Sequence, residues 1–222
     1  MRATCYQGSA SIATREELEL REIFLLDKSR VEDRLSICFG HLAGWSTNRV
    51  VEDVRAWSVQ RLNDVEQFCY VAYEDGEPAG FIEFLPMKMV KKYGLNPCRV
   101  SPLAGKEAEY KGHKLTDVPY PKVTFANDAF IACLWVRLLF TRRGIGKALV
   151  EKLSHDLKER SVLTNLEIQG IQVYVEKRKR DWHPSIDWPA GSVSFYEKRG
   201  FTKLREVKTS KMTGYVMRRI VR

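Results

Sequence analysis

Apolar and polar residues alternate along this chain with two periods, one typical of strands and the other of helices. Near the amino terminus, Leu18, Leu20 and Phe24 alternate with charged residues, which predicts a first strand. Residues 28–40 and 48–62 then have helical spacing, with apolar side chains gathered on one face of the second segment. This part of the chain therefore predicts a strand followed by two helices.

A hairpin and a central strand come next. Residues 68–73 and 79–85 read as two strands, and the Glu74–Glu77 segment between them contains Asp-Gly, a typical hairpin turn sequence. Residues 129–136 are apolar throughout, as expected for a central strand whose two faces are both covered. The pattern predicts that this strand lies in the middle of a sheet.

An amphipathic helix follows the central strand. Its apolar residues form a single stripe, and its charged residues lie opposite that stripe. The stripe consists of Ile145, Leu149, Leu153 and Leu157, and the charged set of Lys147, Glu151, Lys152, Asp156 and Lys158. The spacing predicts a helix that packs on the sheet by one face and leaves the other in water.

The carboxyl-terminal part predicts three further strands and one short helix. Residues 171–175 alternate as a strand does, and Pro189 can open a short helix that continues to Lys198 and ends at Gly200. Residues 201–207 and 215–221 then predict two closing strands, joined by a turn that includes Gly214. Together the elements predict an α/β (α+β) fold in which helices flank a mixed, mostly antiparallel sheet of six to seven strands.

Residues 88–127 interrupt this order with little periodicity. The segment contains eight Lys or Arg residues against three acids, so it carries +5 of the net charge of +9. A basic surface attracts polyanions such as nucleic acid or phosphorylated cofactors. For this segment a solvated lysine-rich loop is the simpler explanation. We expect one domain over residues 1–222, with residues 88–127 as a basic insertion that contains proline and glycine.

Composition narrows the class of protein. With 44% hydrophobic residues the chain can bury a core, and it contains no apolar run long enough to span a membrane. The amino terminus lacks an apolar segment of signal-peptide length, which favours a cytoplasmic protein. The five cysteines include no Cys-x-x-Cys pair, so we expect reduced thiols and no metal site.

The candidate chemistry lies in the Thr-Arg-Arg-Gly-Ile-Gly-Lys sequence at 141–147, between the central strand and the amphipathic helix. Its two glycines allow a sharp turn that brings backbone amides close to a ligand. The helix that follows directs unpaired N–H groups and the positive end of its dipole into the same space. The turn therefore predicts a site for a pyrophosphate.

Three other glycine-rich phosphate motifs do not match. A Walker A motif requires glycine at Thr141 and a hydroxyl residue at Ala148, and a dinucleotide-binding fingerprint requires glycine at Leu149. A kinase glycine loop has no matching catalytic loop elsewhere in the sequence. A glycine turn before a helix is weak evidence by itself, so its meaning depends on a second motif.

The second motif is Phe-Tyr-Glu-Lys-Arg-Gly-Phe at 195–201. Together with Leu-Trp-Val at 134–136 and Arg-Arg-Gly-Ile-Gly at 142–146, it resembles the GNAT superfamily of N-acetyltransferases. The order of elements fits this family from about Leu18 to Val221. The resemblance implies the acyl-CoA N-acyltransferase fold and transfer of an acetyl group from acetyl-CoA to an amine, without a metal.

In this family the pantetheine arm of acetyl-CoA lies between two central strands that splay apart. The resemblance implies that the main chain of Leu134 and Val136, with Trp135 between them, bonds the pantetheine. It also implies that the turn and the start of the helix hold the pyrophosphate through Arg142, Arg143, Gly144, Ile145, Gly146, Lys147 and Ala148. Tyr196 matches the tyrosine that protonates the departing thiolate, a role that suits a phenol near sulfur in a dry site.

The sequence departs from the family pattern in three places. Thr141 replaces the usual Gln or Arg, Pro189 replaces an Asn that contacts the coenzyme, and Phe130 replaces the glutamate general base of histone-type members. Asp128, Glu83 and a water relay remain as alternatives for the base. Cys133 lies beside the pantetheine track, where an acetyl-cysteine intermediate is the alternative to simple packing.

Two further segments have open interpretations. The loop from Asp181 to Pro184, with Trp188, can border the acceptor site. The basic run from Lys177 to Arg180 suits contact with solvent, with the coenzyme 3′-phosphate or with RNA. The basic regions also favour a second hypothesis, a nucleic-acid- or ribosome-associated module with a vestigial or regulatory coenzyme pocket. An intermediate hypothesis is an acceptor carried on RNA or on an acidic protein. Family members often form homodimers, which the sequence does not test.

Overall fold

The computed structural model describes residues 22–39, 48–89, 109–110, 113–114, 125–176, 192–208 and 213–221. Among these residues, no helix is both long and apolar enough to cross a membrane. The predicted strand residues Leu18 and Leu20 and most of the basic insertion lie outside the described residues. The single-domain prediction for residues 1–222 therefore stays a prediction.

The described residues contain nine strands. They are β1 (Ile23–Leu25), β2 (Cys69–Glu74), β3 (Glu77–Pro86), β4 (Glu109–Tyr110), β5 (His113–Lys114), β6 (Asp128–Val136), β7 (Gly170–Glu176), β8 (Thr202–Lys208) and β9 (Thr213–Ile220). Seven form one sheet in the order β1-β2-β3-β6-β7-β9-β8, and β4 pairs with β5 inside the insertion. The β6–β7 pair is parallel, and the other pairs of the sheet are antiparallel. This confirms the mixed, mostly antiparallel sheet.

Within the described residues, the helices α1 (Val31–Phe39), α2 (Asn48–Val65), α3 (Ile145–Lys158) and α4 (Val193–Glu197) accompany the sheet, and residues 87–89 are also helical. A 3₁₀ turn, Lys28–Arg30, leads into α1, and the Asp27 side chain caps it by accepting the amides of Ser29 and Arg30. Outside the insertion, the order of helices and strands in the described residues agrees with the sequence prediction, whereas the β4–β5 pair was not predicted. The boundaries differ by a few residues at most elements.

The start of α4 corrects one prediction. The helix begins at Val193, four residues after the predicted opening at Pro189, and the Ser192 hydroxyl caps it by accepting the Phe195 amide at 3.2 Å. A serine side chain can satisfy an amide of the first turn, whereas proline only fixes one backbone angle. The cap therefore sets the boundary of the helix.

Gly214 corrects a second prediction, because it lies within β9 rather than in the turn before it. A Cβ atom at this position would lie 2.4 Å from the hydroxyl oxygen of Tyr174 on neighbouring β7. Only a residue without a side chain lets the tyrosine cross β9 at this point. The glycine thus serves side-chain packing across the sheet and does not mark a turn.

Helix α3 packs on the sheet as its stripe predicts. Ile145, Leu149, Leu153 and Leu157 are all buried. Asp156, predicted on the solvent face, is also buried, because it accepts a hydrogen bond from the hydroxyl of Tyr70 on β2 and pairs with Lys152 at 3.0 Å. A charge at the border of an apolar stripe can be buried in this way when partners from the sheet reach it.

Candidate active site

The sheet opens between its two central strands. β6 and β7 pair only from Asp128 and Gly170 to Ile131 and Val173. Beyond these pairs, each strand continues along its other neighbour, as β6 follows β3 to Val136 and β7 follows β9 to Glu176. A wedge-shaped gap therefore begins after Ile131 in the middle of the sheet.

A β-bulge lies at the point where the gap begins. In the β3–β6 register Glu83 pairs with Cys133 and Phe84 pairs with Ile131, so Ala132 is the additional residue. A bulge bends its strand and increases the local twist. Its position next to Ile131 accounts for the departure of β6 from β7.

The register also gives the direction of the main-chain groups beyond the bulge. The Arg137 amide donates to the Ala79 carbonyl on β3 at 2.9 Å. Because main-chain groups alternate in direction along a strand, those of Trp135 also face β3, whereas those of Leu134 and Val136 face the gap. Two predicted binding residues thus present N–H and C=O groups where an extended ligand can pair with them. Trp135 can contribute only through its side chain.

Only one of the two glycines shapes the turn after β6, because Gly146 is already the second residue of α3 and does not have a positive φ. Gly144 has φ +81° and acts as the cap residue of α3, and Arg142 also adopts a positive φ of 64°. The first intrahelical bond joins the Ala148 amide to the Gly144 carbonyl at 3.0 Å. The amides of residues 145–147 therefore point out of the helix end, while the Ala148 amide is already used. This removes Ala148 from the predicted set of amide donors.

Positive side chains surround this helix end. Arg142 is exposed, and Arg143 lies 3.8 Å from the Asp75 carboxylate of the β2–β3 hairpin and 5.4 Å from the Phe140 ring. Such an exposed ion pair stabilises weakly, so Arg143 can exchange Asp75 for a stronger anion. The helix dipole and these charges together favour a pyrophosphate at the amino-terminal end of α3.

Gly80 on β3 holds the helix end against the gap. A Cβ atom there would lie 2.8 Å from the Trp135 carbonyl oxygen, 3.1 Å from Ile145 and 3.2 Å from Val136. Contacts this short force a shift of backbone, so glycine is required for the close approach of β3, β6 and α3. Sequence patterns do not indicate this role, because the three elements meet only in the folded chain.

The two glycines of the turn should respond oppositely to alanine. Gly144→Ala places a side chain at φ +81°, which costs about 1–2 kcal/mol, so the free energy of unfolding should fall. Gly146 lies inside α3, where a Cβ would meet Phe195 at an ordinary 3.6 Å. Gly146→Ala should therefore stabilise the protein by about 0.5–1 kcal/mol. Urea unfolding of both variants tests the pair, and equal effects would contradict the described turn.

Tyr196 lies on α4, and its ring centroid is 5.0 Å from those of both Phe195 and Phe201. The side chain is fully buried, and its hydroxyl has no hydrogen-bond partner in the part of the chain that the structure describes. Burial raises the pKa of Tyr196 above its ordinary value, and the nearby Cys133 thiol raises it further. Tyr196 is therefore a protonated donor whose hydrogen bond is available to a ligand.

Both candidate carboxylate bases are held in buried ion pairs. Asp128 accepts from Arg218 at 2.7 and 3.0 Å and from the Gln172 amide at 2.9 Å. Glu83 accepts from Nε of Arg34 at 2.7 Å and from Nη2 of the same side chain. A proton taken from an amine would break one of these pairs. Sequence patterns do not indicate these arginine partners, which are distant along the chain.

The remaining predicted site residues lie outside the described residues. These are Pro189, the basic run Lys177 to Arg180, and the loop Asp181 to Pro184 with Trp188. Their proposed contacts with the coenzyme, an acceptor or RNA stay predictions.

A family model described as the acetyltransferase (GNAT) family matches residues 30–201, which include the turn, the gap and Tyr196. The chain belongs to the GNAT family. This family uses acetyl-CoA. No sequence among the curated proteins matches the chain.

Solved GNAT structures have the same fold at low sequence identity. An acetyltransferase structure is 18% identical with a TM-score of 0.57, and covers 90% of this chain and 100% of its own. A ribosomal-protein-alanine N-acetyltransferase from Brucella melitensis is 15% identical with a TM-score of 0.55, covering 90% and 99%. Ard1 from Thermoplasma volcanium is 16% identical with a TM-score of 0.51, covering 91% and 98%. The GNAT fold is thus confirmed. At identities this low, the matches show the shared fold and not the acceptor.

The structure describes two of the positions at which the sequence departs from the GNAT pattern. Thr141 is exposed, and its hydroxyl donates to the Leu138 carbonyl at 2.8 Å, closing the turn before the helix. Phe130 is buried in the core. A phenylalanine there packs the sheet and provides no base.

Proposed function

We propose that this GNAT protein transfers an acetyl group from acetyl-CoA to an amine acceptor by direct attack. The observation that carries the proposal is the gap between β6 and β7. There the main-chain N–H and C=O groups of Leu134 and Val136 face a possible ligand. The unpartnered hydroxyl of Tyr196 and the amino-terminal end of α3 supply the other two contacts that such a donor needs.

The donor would lie along β6 as an additional strand. Main-chain groups of Leu134 and Val136 are turned towards the gap and suit the two amides of a pantetheine arm. The pyrophosphate would lie at the amides of residues 145–147, with Arg142 and Arg143 beside it. The wedge widens towards that helix end, which matches a ligand that is narrow at the thioester and bulky at the nucleotide.

The acetyl transfer requires three changes. The neutral amine forms a bond to the thioester carbonyl carbon, the carbonyl oxygen becomes negative, and the carbon–sulfur bond then breaks. An N–H of β6 that faces the gap, such as that of Leu134, would stabilise the negative oxygen. Tyr196 would then give its proton to the departing thiolate.

The amine must lose a proton before it attacks, since an ammonium has no lone pair. Asp128 and Glu83 already accept hydrogen bonds from arginines, which favours a water relay over either carboxylate as the first acceptor. We propose that ordered water carries the proton to solvent. The acceptor is proposed as a primary amine, and the protein as cytoplasmic.

Ligand binding and thiol release test the proposal together. Acetyl-CoA at one hundred times its dissociation constant adds about 2.7 kcal/mol of stability. For a chain of this size that raises the melting temperature by roughly 5–10 °C. Acetyl-pantetheine, which lacks the pyrophosphate, is the matched control and should give a much smaller shift.

Release of thiol is then measured with a panel of small amines and peptides, including a peptide that begins with alanine. Acceptor-dependent thiol release is the expected result for at least one amine. A flat melting temperature with acetyl-CoA, together with no acceptor-dependent thiol, would contradict the proposed function.

A further inference from the structure

Cys133 lies at the narrow end of the gap between β6 and β7. It directly follows the bulge residue Ala132, beyond the last β6–β7 pair at Ile131 and Val173. Its side chain is only 4% exposed to solvent, so bulk reagents reach it poorly. Cys133 therefore lies on a strand that lines the gap, next to the point where the gap begins.

The second observation concerns what the thiol faces. The Tyr196 hydroxyl is fully buried and has no hydrogen-bond partner in the described part of the chain. The Cys133 thiol is near enough to this hydroxyl to raise the pKa of Tyr196 electrostatically. A buried donor without a partner indicates a place that a ligand atom completes. Cys133 is the residue of β6 that directly follows the bulge from which the gap opens.

We propose that Cys133 is a redox modification site, which forms a mixed disulfide with the thiol end of coenzyme A. The inference rests on the proposed function, because the coenzyme must lie in the gap with its sulfur at Tyr196. The sulfur that Tyr196 protonates is then a neighbour of the Cys133 thiol. Nothing in the acetyl transfer itself uses this cysteine.

The oxidant is coenzyme A disulfide. The Cys133 thiolate attacks one of its two sulfurs, a new S–S bond joins Cys133 to one coenzyme, and the original S–S bond breaks. The second coenzyme leaves as a thiolate and takes up the proton that Cys133 lost. It can leave by the side from which an acceptor amine must also reach the thioester. One disulfide is consumed and one is formed, so no further oxidant is required.

The adduct would switch the enzyme off. A coenzyme tethered to Cys133 occupies the donor site and excludes acetyl-CoA, until a reducing thiol releases it by the reverse exchange. The protein would then respond to the ratio of coenzyme A disulfide to coenzyme A.

The chain supplies its own comparison cysteine. Cys69 on β2 is also buried, and its thiol donates to the Tyr70 carbonyl oxygen at 3.6 Å. Burial raises the pKa of Cys69 well above its ordinary value, with the Glu83 charge adding to the effect. Cys69 differs from Cys133 in its location, since β2 does not line the gap and no coenzyme in the gap brings a disulfide to it. It should remain unmodified.

The test starts with reduced, full-length protein incubated with coenzyme A disulfide. Mass spectrometry of the intact chain should show one added coenzyme, and peptide mapping without reductant should place it on Cys133. Acceptor-dependent thiol release should fall in step with labelling and return after dithiothreitol. Excess acetyl-CoA should protect the protein, and glutathione disulfide should label it at least about tenfold more slowly, since it lacks the nucleotide that holds it in the site.

Two variants complete the experiment. Cys133→Ser should abolish the adduct, whereas Cys69→Ser should retain it. Calorimetry with acetyl-CoA distinguishes failure of this inference from failure of the proposed function. Wild-type protein that binds acetyl-CoA but carries no coenzyme on Cys133 overturns this inference and leaves the proposed function standing. Protein that gives no heat with acetyl-CoA overturns both.

Discussion

Replacing Tyr196 with phenylalanine should lower turnover at least about tenfold, which corresponds to about 1.4 kcal/mol of activation free energy. The reason is that the departing thiolate loses its proton donor, while the ring continues to pack between Phe195 and Phe201. The hydroxyl has no partner within the described residues, so its removal breaks no hydrogen bond there. Calorimetry should therefore give nearly the same acetyl-CoA affinity for both proteins.

Tyr70→Phe is the matched control for this experiment. Its hydroxyl is also buried, but it donates to Asp156 on α3, away from the gap. We expect this variant to lose stability and to keep its turnover, the reverse of Tyr196→Phe. Turnover that stays unchanged in Tyr196→Phe would remove the tyrosine from the mechanism.

The pH dependence of the rate provides a second test of Tyr196. Because burial raises the pKa of Tyr196 above its ordinary value of about 10, the phenol stays protonated throughout the neutral and mildly alkaline range. The rate should rise with pH as the acceptor amine loses its proton. A fall in rate below about pH 10 would have to come from another group.

Arg34→Met should lower the free energy of unfolding by about 3–5 kcal/mol, a large part of the stability of an ordinary domain. Arg34 and Glu83 are almost completely buried, and the guanidinium is the counterion of this carboxylate. Removing the arginine leaves a negative charge inside the protein without compensation. Urea unfolding of wild-type and variant protein measures the loss directly.

Two controls decide whether the buried pair causes this loss. In the double variant Arg34→Met, Glu83→Leu no charge is left unpaired, so part of the stability should return. Arg55→Met removes an exposed arginine that bonds Glu32, and this change should have little effect. Equal losses in the single and double variants would indicate that packing, rather than charge, accounts for the role of Arg34.

Local patterns were sufficient to predict most of the elements. The Asp-Gly turn of the hairpin, the apolar run of the central strand and the four-residue stripe of α3 each depend on neighbours in sequence. Where the prediction was wrong, a distant residue decided the outcome. Tyr70 buries Asp156, and Tyr174 requires Gly214 within a strand.

In the candidate site, too, features that depend on local residues could be predicted, and features that depend on distant residues could not. The glycine turn could be predicted, because its backbone angles depend on residues within the turn itself. The bulge at Ala132 could not, since a bulge is defined by the register with a partner strand. The arginines that bind Asp128 and Glu83 were missed for a related reason. They lie 90 and 49 residues from their partners.

The bulge at Ala132 has a consequence for handling the protein. It leaves two unpaired strand edges, those of β6 and β7, inside the sheet. The sheet of an ordinary domain has edges only at its borders. Exposed edges accept any extended segment that fits, including one from another molecule, and so promote aggregation. In the proposed function coenzyme A covers these edges, and the solubility of the chain would then depend on occupancy of its donor site. Preparations stripped of coenzyme are the ones in which self-association is expected first.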